Sequence, residues 1–336
     1  MRGLYRLLGG CLLAAILLSS QATGAAERLP KLVLTGPFAA VSFPLIHMVE
    51  SGALKDVAET VEFVAWKNPD QLRAMAIDGK MQADFLATPS SVAANLHNRG
   101  VRLRLINVSV WGMLWLVSRD ANAKTLADFK GREIVMPFRA DMPDIIFQTL
   151  AEKAGLDPKR DFRLRYVASP FDAMQLMITR RADHVVLSEP GVSMALRKTK
   201  SFPVSLIAPE LHRSVDLQKE WGRLFNRPPR MPQAGIAVMG RALDNPALVE
   251  RFQQAYAASL KWCQAAPEAC GAMVARHIDI LTPEAVADAV RSGQADFVTA
   301  REARPELEFF YSRLLERQPQ LIGGRLPPDD FYYGGK

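Results

Sequence analysis

Apolar residues along this chain follow two alternating rhythms. Short runs at residues 31–34, 61–65, 84–87, 101–106 and 113–118 have the length and side-chain content of strands. Between them apolar residues return every three or four positions. Leu45, Ile46 and Val49 form one such stripe within residues 40–51, and residues 69–78 and 90–96 repeat the pattern. The alternation continues past residue 118, with a short helix at 126–131, a strand at 133–136, a helix at 143–154 and a strand at 162–167. A helix from Ala173 and a strand at 184–187 follow. Residues 201–208 are expected as another strand and 211–230 as an irregular, basic surface excursion. Residues 234–239 are expected as the last strand, returning the chain to the first sheet. From 246 to 315 the pattern is helical and amphipathic. Strands alternating with helices predict an α/β protein with doubly wound, mostly parallel sheets flanked by helices.

One stretch occurs twice. In residues 73–89 a helix leads through Ala83-Asp84 into Phe85-Leu86-Ala87 and stops at Thr88-Pro89. In residues 173–190 a helix leads through Ala182-Asp183 into His184-Val185-Val186-Leu187 and stops at Ser188-Glu189-Pro190. Two such copies, about a hundred residues apart, predict two lobes built alike. Open α/β sheets bind ligands beyond the carboxyl ends of their strands, so Thr88 and Glu189 are expected to face each other across a cleft. The strand ends supply the ligand-binding candidates: Phe38, Trp66, Thr88, Ser90, Trp111, Phe138, Arg139, Asp141, Ser169 and Glu189. Trp66 and Trp111 suit stacking on a planar ligand, and suit core packing equally well. Arg139 suits a ligand carboxylate or a neighbouring acid, Asp141 or Asp144. A carboxylate after a buried strand, such as Glu189, is either at a cleft or paired, and Arg180 and Arg181 are the partners nearest in sequence.

A length of 336 residues accommodates two lobes, and a hydrophobic fraction of 49% is enough for full cores. The formal net charge is +7. Its Lys and Arg residues are scattered rather than gathered in a stripe, so nucleic acid is not the expected partner. Arg2 and Arg6, an apolar run at 7–18 and small residues up to Ala26 form a secretory leader, expected to be cleaved near residues 25–26. Leu8-Gly9-Gly10-Cys11 looks like a lipoprotein cleavage box, but too little apolar chain precedes it. Export leaves Cys263 and Cys270, disulfide candidates in an oxidising compartment, with two reduced buried thiols as the alternative. The five histidines show no metal-ligand spacing, and no P-loop, dinucleotide or nucleophile-elbow fingerprint occurs. No cofactor is expected.

Several segments in order carry a family resemblance. They are Lys130-Gly-Arg-Glu-Ile-Val-Met-Pro137 before the helix ending Glu152-Lys-Ala-Gly-Leu156, then Phe171-Asp-Ala-Met174. Asp244-Asn-Pro246, Ala258-Ser-Leu-Lys-Trp262, Pro267-Glu268 and the closing Gly324-Arg-Leu-Pro-Pro-Asp-Asp-Phe-Tyr332 complete the set. Together they resemble the periplasmic solute-binding proteins of ABC importers, in the NMT1/SsuA-like branch of nitrate, sulfonate, taurine and thiamine-precursor binders. The resemblance implies a type II periplasmic-binding-protein fold: two lobes joined by two crossing strands, closing on a ligand and presenting it to a membrane permease. It places a leader at 1–26, lobe 1 at 27–117 with 234–336, and lobe 2 at 118–233. A periplasmic, non-enzymatic monomer is implied.

The chain departs from that branch at one turn. Sulfonate and nitrate binders usually follow the strand ending Met136-Pro137 with a Gly/Ser/Thr-rich turn whose amides hold the anion. Here the turn is Phe138-Arg139-Ala140-Asp141-Met142, and Asp141 is expected to cap the helix itself. With Glu189 as a second acid and several aromatic rings, the sequence points to a planar nitrogen compound such as a pyrimidine-like vitamin precursor. A carboxylated aromatic held by Arg139 comes second. The rival classes are a pyrimidine-precursor synthase of the same fold, whose cysteine-rich iron motif is missing here, and a ligand-sensing subunit.

Overall fold

The computed structural model describes residues 28–79, 81–206 and 210–334, so the expected leader and Cys11 lie outside the described residues. The first stretch is β1 (Leu29–Pro37), α1 (Phe43–Glu50), β2 (Ala58–Trp66), α2 (Pro69–Ile77), β3 (Phe85–Pro89), α3 (Ser90–Asn98) and β4 (Leu103–Gly112). The chain then crosses to β5 (Leu114–Ser118), β6 (Glu133–Pro137), α4 (Met142–Lys153), β7 (Arg163–Val167), α5 (Pro170–Ile178), β8 (His184–Ser188), α6 (Gly191–Lys200), β9 (His212–Asp216) and α7 (Leu217–Phe225). It returns through β10 (Ala234–Met239) and continues as α8 (Pro246–Ala265), α9 (Pro267–His277), α10 (Pro283–Ser292), β11 (Gln294–Thr299) and α11 (Ala300–Arg317).

These strands make two sheets, ordered β11-β4-β10-β3-β1-β2 and β7-β6-β8-β5-β9. The run β2-β1-β3-β10-β4 matches β7-β6-β8-β5-β9 strand for strand, with β11 added at one edge. In each sheet three strands are parallel and the next two alternate in direction. The sheets are therefore mixed rather than mostly parallel. The physical reason lies in β5 and β10. Each enters its sheet from the other sheet instead of through a crossover helix, so neither is held to the parallel sense.

Three expectations change. The described part of 201–208, residues 201–206, is no strand: it ends in a single 3₁₀ turn, Val204–Leu206, with Phe202 and Leu206 exposed. The expected excursion at 211–230 instead contains β9 and α7. Asp216 caps α7 through Gln218 and Lys219 N–H groups, Leu217 and Trp221 bury its apolar stripe, and Asn226 ends it in the left-handed conformation. The basic side chains on the outer face hid this stripe. Finally, β10 is not the last strand, because β11 pairs with β4.

Both crossings are tightly held. Buried Gln218 exchanges two hydrogen bonds with the backbone of Leu114, while Met231 and Gln233 N–H groups donate to Trp111 and Val110 carbonyls. In β10, a Cβ on Gly235 would come within 1.9 Å of the Asn107 carbonyl oxygen, so only glycine permits this approach. One apolar cluster runs from Trp66 and Leu72 through Leu114 and Leu116 to Phe147 and on to Phe310. The last helices touch both sheets' surroundings: α11 packs on α4, and α10 on α6. Cys263 and Cys270 are joined by a disulfide across the α8–α9 turn, with Cα atoms 5.1 Å apart. Among the described residues no helix is long and apolar enough to cross a membrane.

Candidate functional site

The carboxyl ends of β1, β2, β6, β7 and β8 converge on one cleft. Its open outer part, about 1290 Å³, is bounded by Arg73, Arg99, Arg139 and Tyr166 among others. Its inner chamber, about 160 Å³, reaches between Trp66, Met113, Met142 and Glu189. Phe38, Lys67, Phe138, Asp141, Ser169 and Phe171 line both.

The turn after β6 is the most constrained part of the wall. Phe138 and Ala140 both have φ of 58°, a left-handed conformation that non-glycine residues adopt only when held there. Three hydrogen bonds hold it. Phe138 N–H donates to Val167 O, Asp141 N–H to Phe138 O, and Ala140 N–H to Asp144 Oδ2 at 2.8 Å. Between the two strained residues, the Arg139 guanidinium sits 5.2 Å from the centre of the Tyr166 ring. Tyr166 in turn donates to Asp144 Oδ1, and burial, with Asp144 beside it, pushes the phenol up to about 12.

Asp141 caps α4 by accepting Met142 N–H at 2.7 Å, and its other oxygen accepts two N–H groups of Arg73, each at 3.3 Å. Arg73 comes from α2 beside the first sheet, so this pair spans the cleft. With Pro143 next in line, the start of α4 has few amides left for an anion.

A family model described as NMT1/THI5 like matches residues 60–270. The chain belongs to this family. No curated protein matches it in sequence. Among solved structures, an ABC transporter protein from Parabacteroides distasonis is 21% identical with a TM-score of 0.73, covering 91% of this chain and 100% of that one. The periplasmic aliphatic sulphonate binding protein SsuA of Escherichia coli is 16% identical with a TM-score of 0.63, covering 90% and 99%. The periplasmic nitrate-binding protein NrtA of Synechocystis PCC 6803 is 13% identical with a TM-score of 0.65, covering 88% and 84%. These likenesses show that the NMT1/THI5-like chain has the two-lobed fold of periplasmic binding proteins.

Of the candidates, this NMT1/THI5-like chain places Phe38, Trp66, Phe138, Arg139, Asp141, Ser169 and Glu189 on the cleft wall. Thr88, Ser90 and Trp111 are corrections: none of the three lines the cleft. Thr88 is fully buried, and Ser90 donates its hydroxyl to Pro232 O at the second crossing. Trp111 is 1% exposed, donates its indole N–H to Asp296 O, and lies under the Arg230 guanidinium at 4.3 Å. The side-chain alternation of β4 turns it inward, away from the strand-end opening.

Glu189 reaches the chamber but has its donors already. It accepts Arg213 Nη2 at 2.6 Å, Arg213 Nε at 3.2 Å, Ser292 Oγ at 3.1 Å and Ser193 N–H at 3.1 Å. Its partner is thus Arg213, not Arg180 or Arg181. The expectation of a ligand that donates N–H to Glu189 and Asp141 loses its basis, since both acids are paired. Sequence reasoning missed Arg73, Lys67, Tyr166 and Phe171. Arg73 opens the first copy of the repeated stretch and Phe171 lies four residues after the end of β7, but no local pattern points either toward the cleft.

Proposed function

We propose that this protein captures a small organic solute in the cleft between its lobes and delivers it to the membrane permease of an ABC importer. The observation that supports this reading is the cleft itself. It is built from the carboxyl ends of strands in two sheets of matching topology, joined by two crossings, which is an arrangement suited to hinge closure. The solved structures of this fold include proteins named for binding sulphonate and nitrate in the periplasm. In this reading lobe 1 takes residues 27–117 and 234–336 and lobe 2 takes 118–233. The leader at 1–26 exports the chain to the periplasm, and no step of chemistry is performed on the solute.

The test is mass spectrometry of solutes that copurify with the native protein, followed by small-angle scattering with the solute found. A smaller radius of gyration at saturation is the expected result. Unchanged dimensions with every recovered solute count against capture by closure.

A further inference from the structure

The two parts of the cleft differ in chemistry, and the difference specifies a ligand. In the inner chamber four polar groups are already engaged: Trp66 N–H donates to Ala87 O, Ser169 Oγ to Asp172, Asp141 is bound by Arg73, and Glu189 by Arg213. The remaining wall is mainly aromatic rings, methionines and prolines, with Ser188 among them and Lys67 at the border with the outer part. An apolar cavity of about 150 Å³ is known to hold benzene, so a chamber of about 160 Å³ has room for one ring.

The outer part has the opposite character. Lys67, Arg99 and Arg139 line it, and among the described residues none of the three has an acid partner. Asp70 and Asp141 both pair with Arg73, which leaves Asp279 as the acid facing these cations. Lys67 and Phe138 border both parts, so Lys67 stands at the chamber's entrance, and Arg139 lines the outer part next in sequence to Phe138. Arg139 is held there by the strained turn and the Tyr166 ring.

We propose that the cleft takes a single-ring aromatic carboxylate, the ring seated in the inner chamber and the carboxylate outward at Arg139 and Lys67. The proposal rests on the solute-capture reading and adds its chemistry. It also sets this cleft apart from an oxyanion site. A bare oxyanion would find the Phe138, Ala140, Asp141 and Met142 amides occupied, and a cationic ligand would find Asp70, Asp141 and Glu189 already paired.

Benzoate, benzamide and benzamidine share one shape and differ in charge, which makes them the probes, with nitrate as the bare anion. In calorimetry benzoate should bind at least tenfold more tightly than benzamide, a difference of about 1.4 kcal/mol, while benzamidine and nitrate should not bind. Arg139→Gln should remove at least a tenfold share of benzoate affinity and leave benzamide unchanged; Arg139 is exposed, so the unfolding midpoint should not move. Benzoate failing to bind, nitrate or benzamidine binding more tightly, or benzoate binding undisturbed by Arg139→Gln would each overturn the proposal. A non-aromatic solute that copurifies and closes the protein in scattering also overturns it, yet leaves solute capture standing.

Discussion

The two copies of the repeated stretch occupy equivalent places in matching sheets and use their polar residues in opposite ways. In the first copy, Asp84 is buried, accepts Val33 N–H and pairs with Arg241, which ties the start of β3 to β1 and to the end of β10. Its counterpart Asp183 is exposed and meets Arg119 at the surface. After the strands the roles exchange. Thr88 is buried with its hydroxyl unpartnered and Ser90 serves the second crossing, whereas Glu189 is saturated by an ion-pair network that joins β8, β9, α6 and α10. Shared topology therefore fixes where a polar residue stands. Its partners, supplied by other elements, decide whether that residue holds the fold or remains available to a ligand.

The comparison breaks most visibly at Glu189. Replacing it with alanine leaves Arg213 without its carboxylate in a setting only 25% exposed, and removal of one partner of a buried pair costs roughly 3 kcal/mol. Urea denaturation should show that loss; unchanged stability with lost ligand affinity would return Glu189 to the binding site. The turn between α8 and α9 has a covalent fastening instead. Replacing Cys263 and Cys270 together with alanine should cost about 2–3 kcal/mol, the loop-closure value for so short a span. Thiol titration of the denatured, unreduced protein should find neither cysteine free, and two free thiols would remove the clamp from the account.

A smaller effect depends on pH. His184, at the start of β8, has its pKa lowered chiefly by burial, with Arg132 nearby adding to it, and its Nδ1 meets Ser118 Oγ at 2.9 Å. Phe129 packs against its ring edge, and Asp120 and Asp183 oppose the shift. A histidine whose pKa falls on folding adds stability above the unfolded value, near 6.5, and loses it as pH drops toward the folded value. Half-buried His47 in α1 shifts the same way. Stability should thus decline between pH 7.5 and 5, and His184→Gln should flatten part of the decline. A decline of equal slope in the variant would show that His184 contributes nothing. The smallest change belongs to Thr88→Val, which removes a hydroxyl without a partner and should be neutral or slightly stabilising. A loss beyond about 1 kcal/mol would mean that the hydroxyl has a partner after all.

The sequence made the alternation of strand and helix legible because each apolar run is short and each helix keeps its stripe. The pairing of Ala-Asp-strand units likewise anticipated two sheets of one topology. What stayed hidden depends on residues distant in the chain. Arg73 meets Asp141 across 68 positions, and Arg213 meets Glu189 across 24, so adjacency pointed to Arg180 and Arg181 instead. Trp111 reads as a strand-end aromatic, yet strand parity and β11, far along the chain, turn it into core. The helix α7 went unseen because Lys219, Glu220 and Arg223 interrupt a nine-residue segment whose buried apolar side chains are only Leu217 and Trp221.

The order in which the two sheets receive their strands has a consequence for the chain's history. The sheet containing β5 to β9 is complete once residues 114–216 exist, whereas the other waits for β10 and for β11 at 294–299. Distant pairings are slow to form because a long loop must close before its contacts contribute. The contiguous sheet should therefore nucleate first, leaving β3 and β4 with unpaired edges until β10 enters between them and β11 closes the far edge of β4. Pulse-labelled hydrogen exchange during refolding should find β6 and β8 amides protected before those of β3 and β4; the reverse order would place the nucleus elsewhere. Until that late closure, the protein is a half-formed molecule with one finished sheet and one open sheet, the interval in which strand edges are most exposed to mispairing.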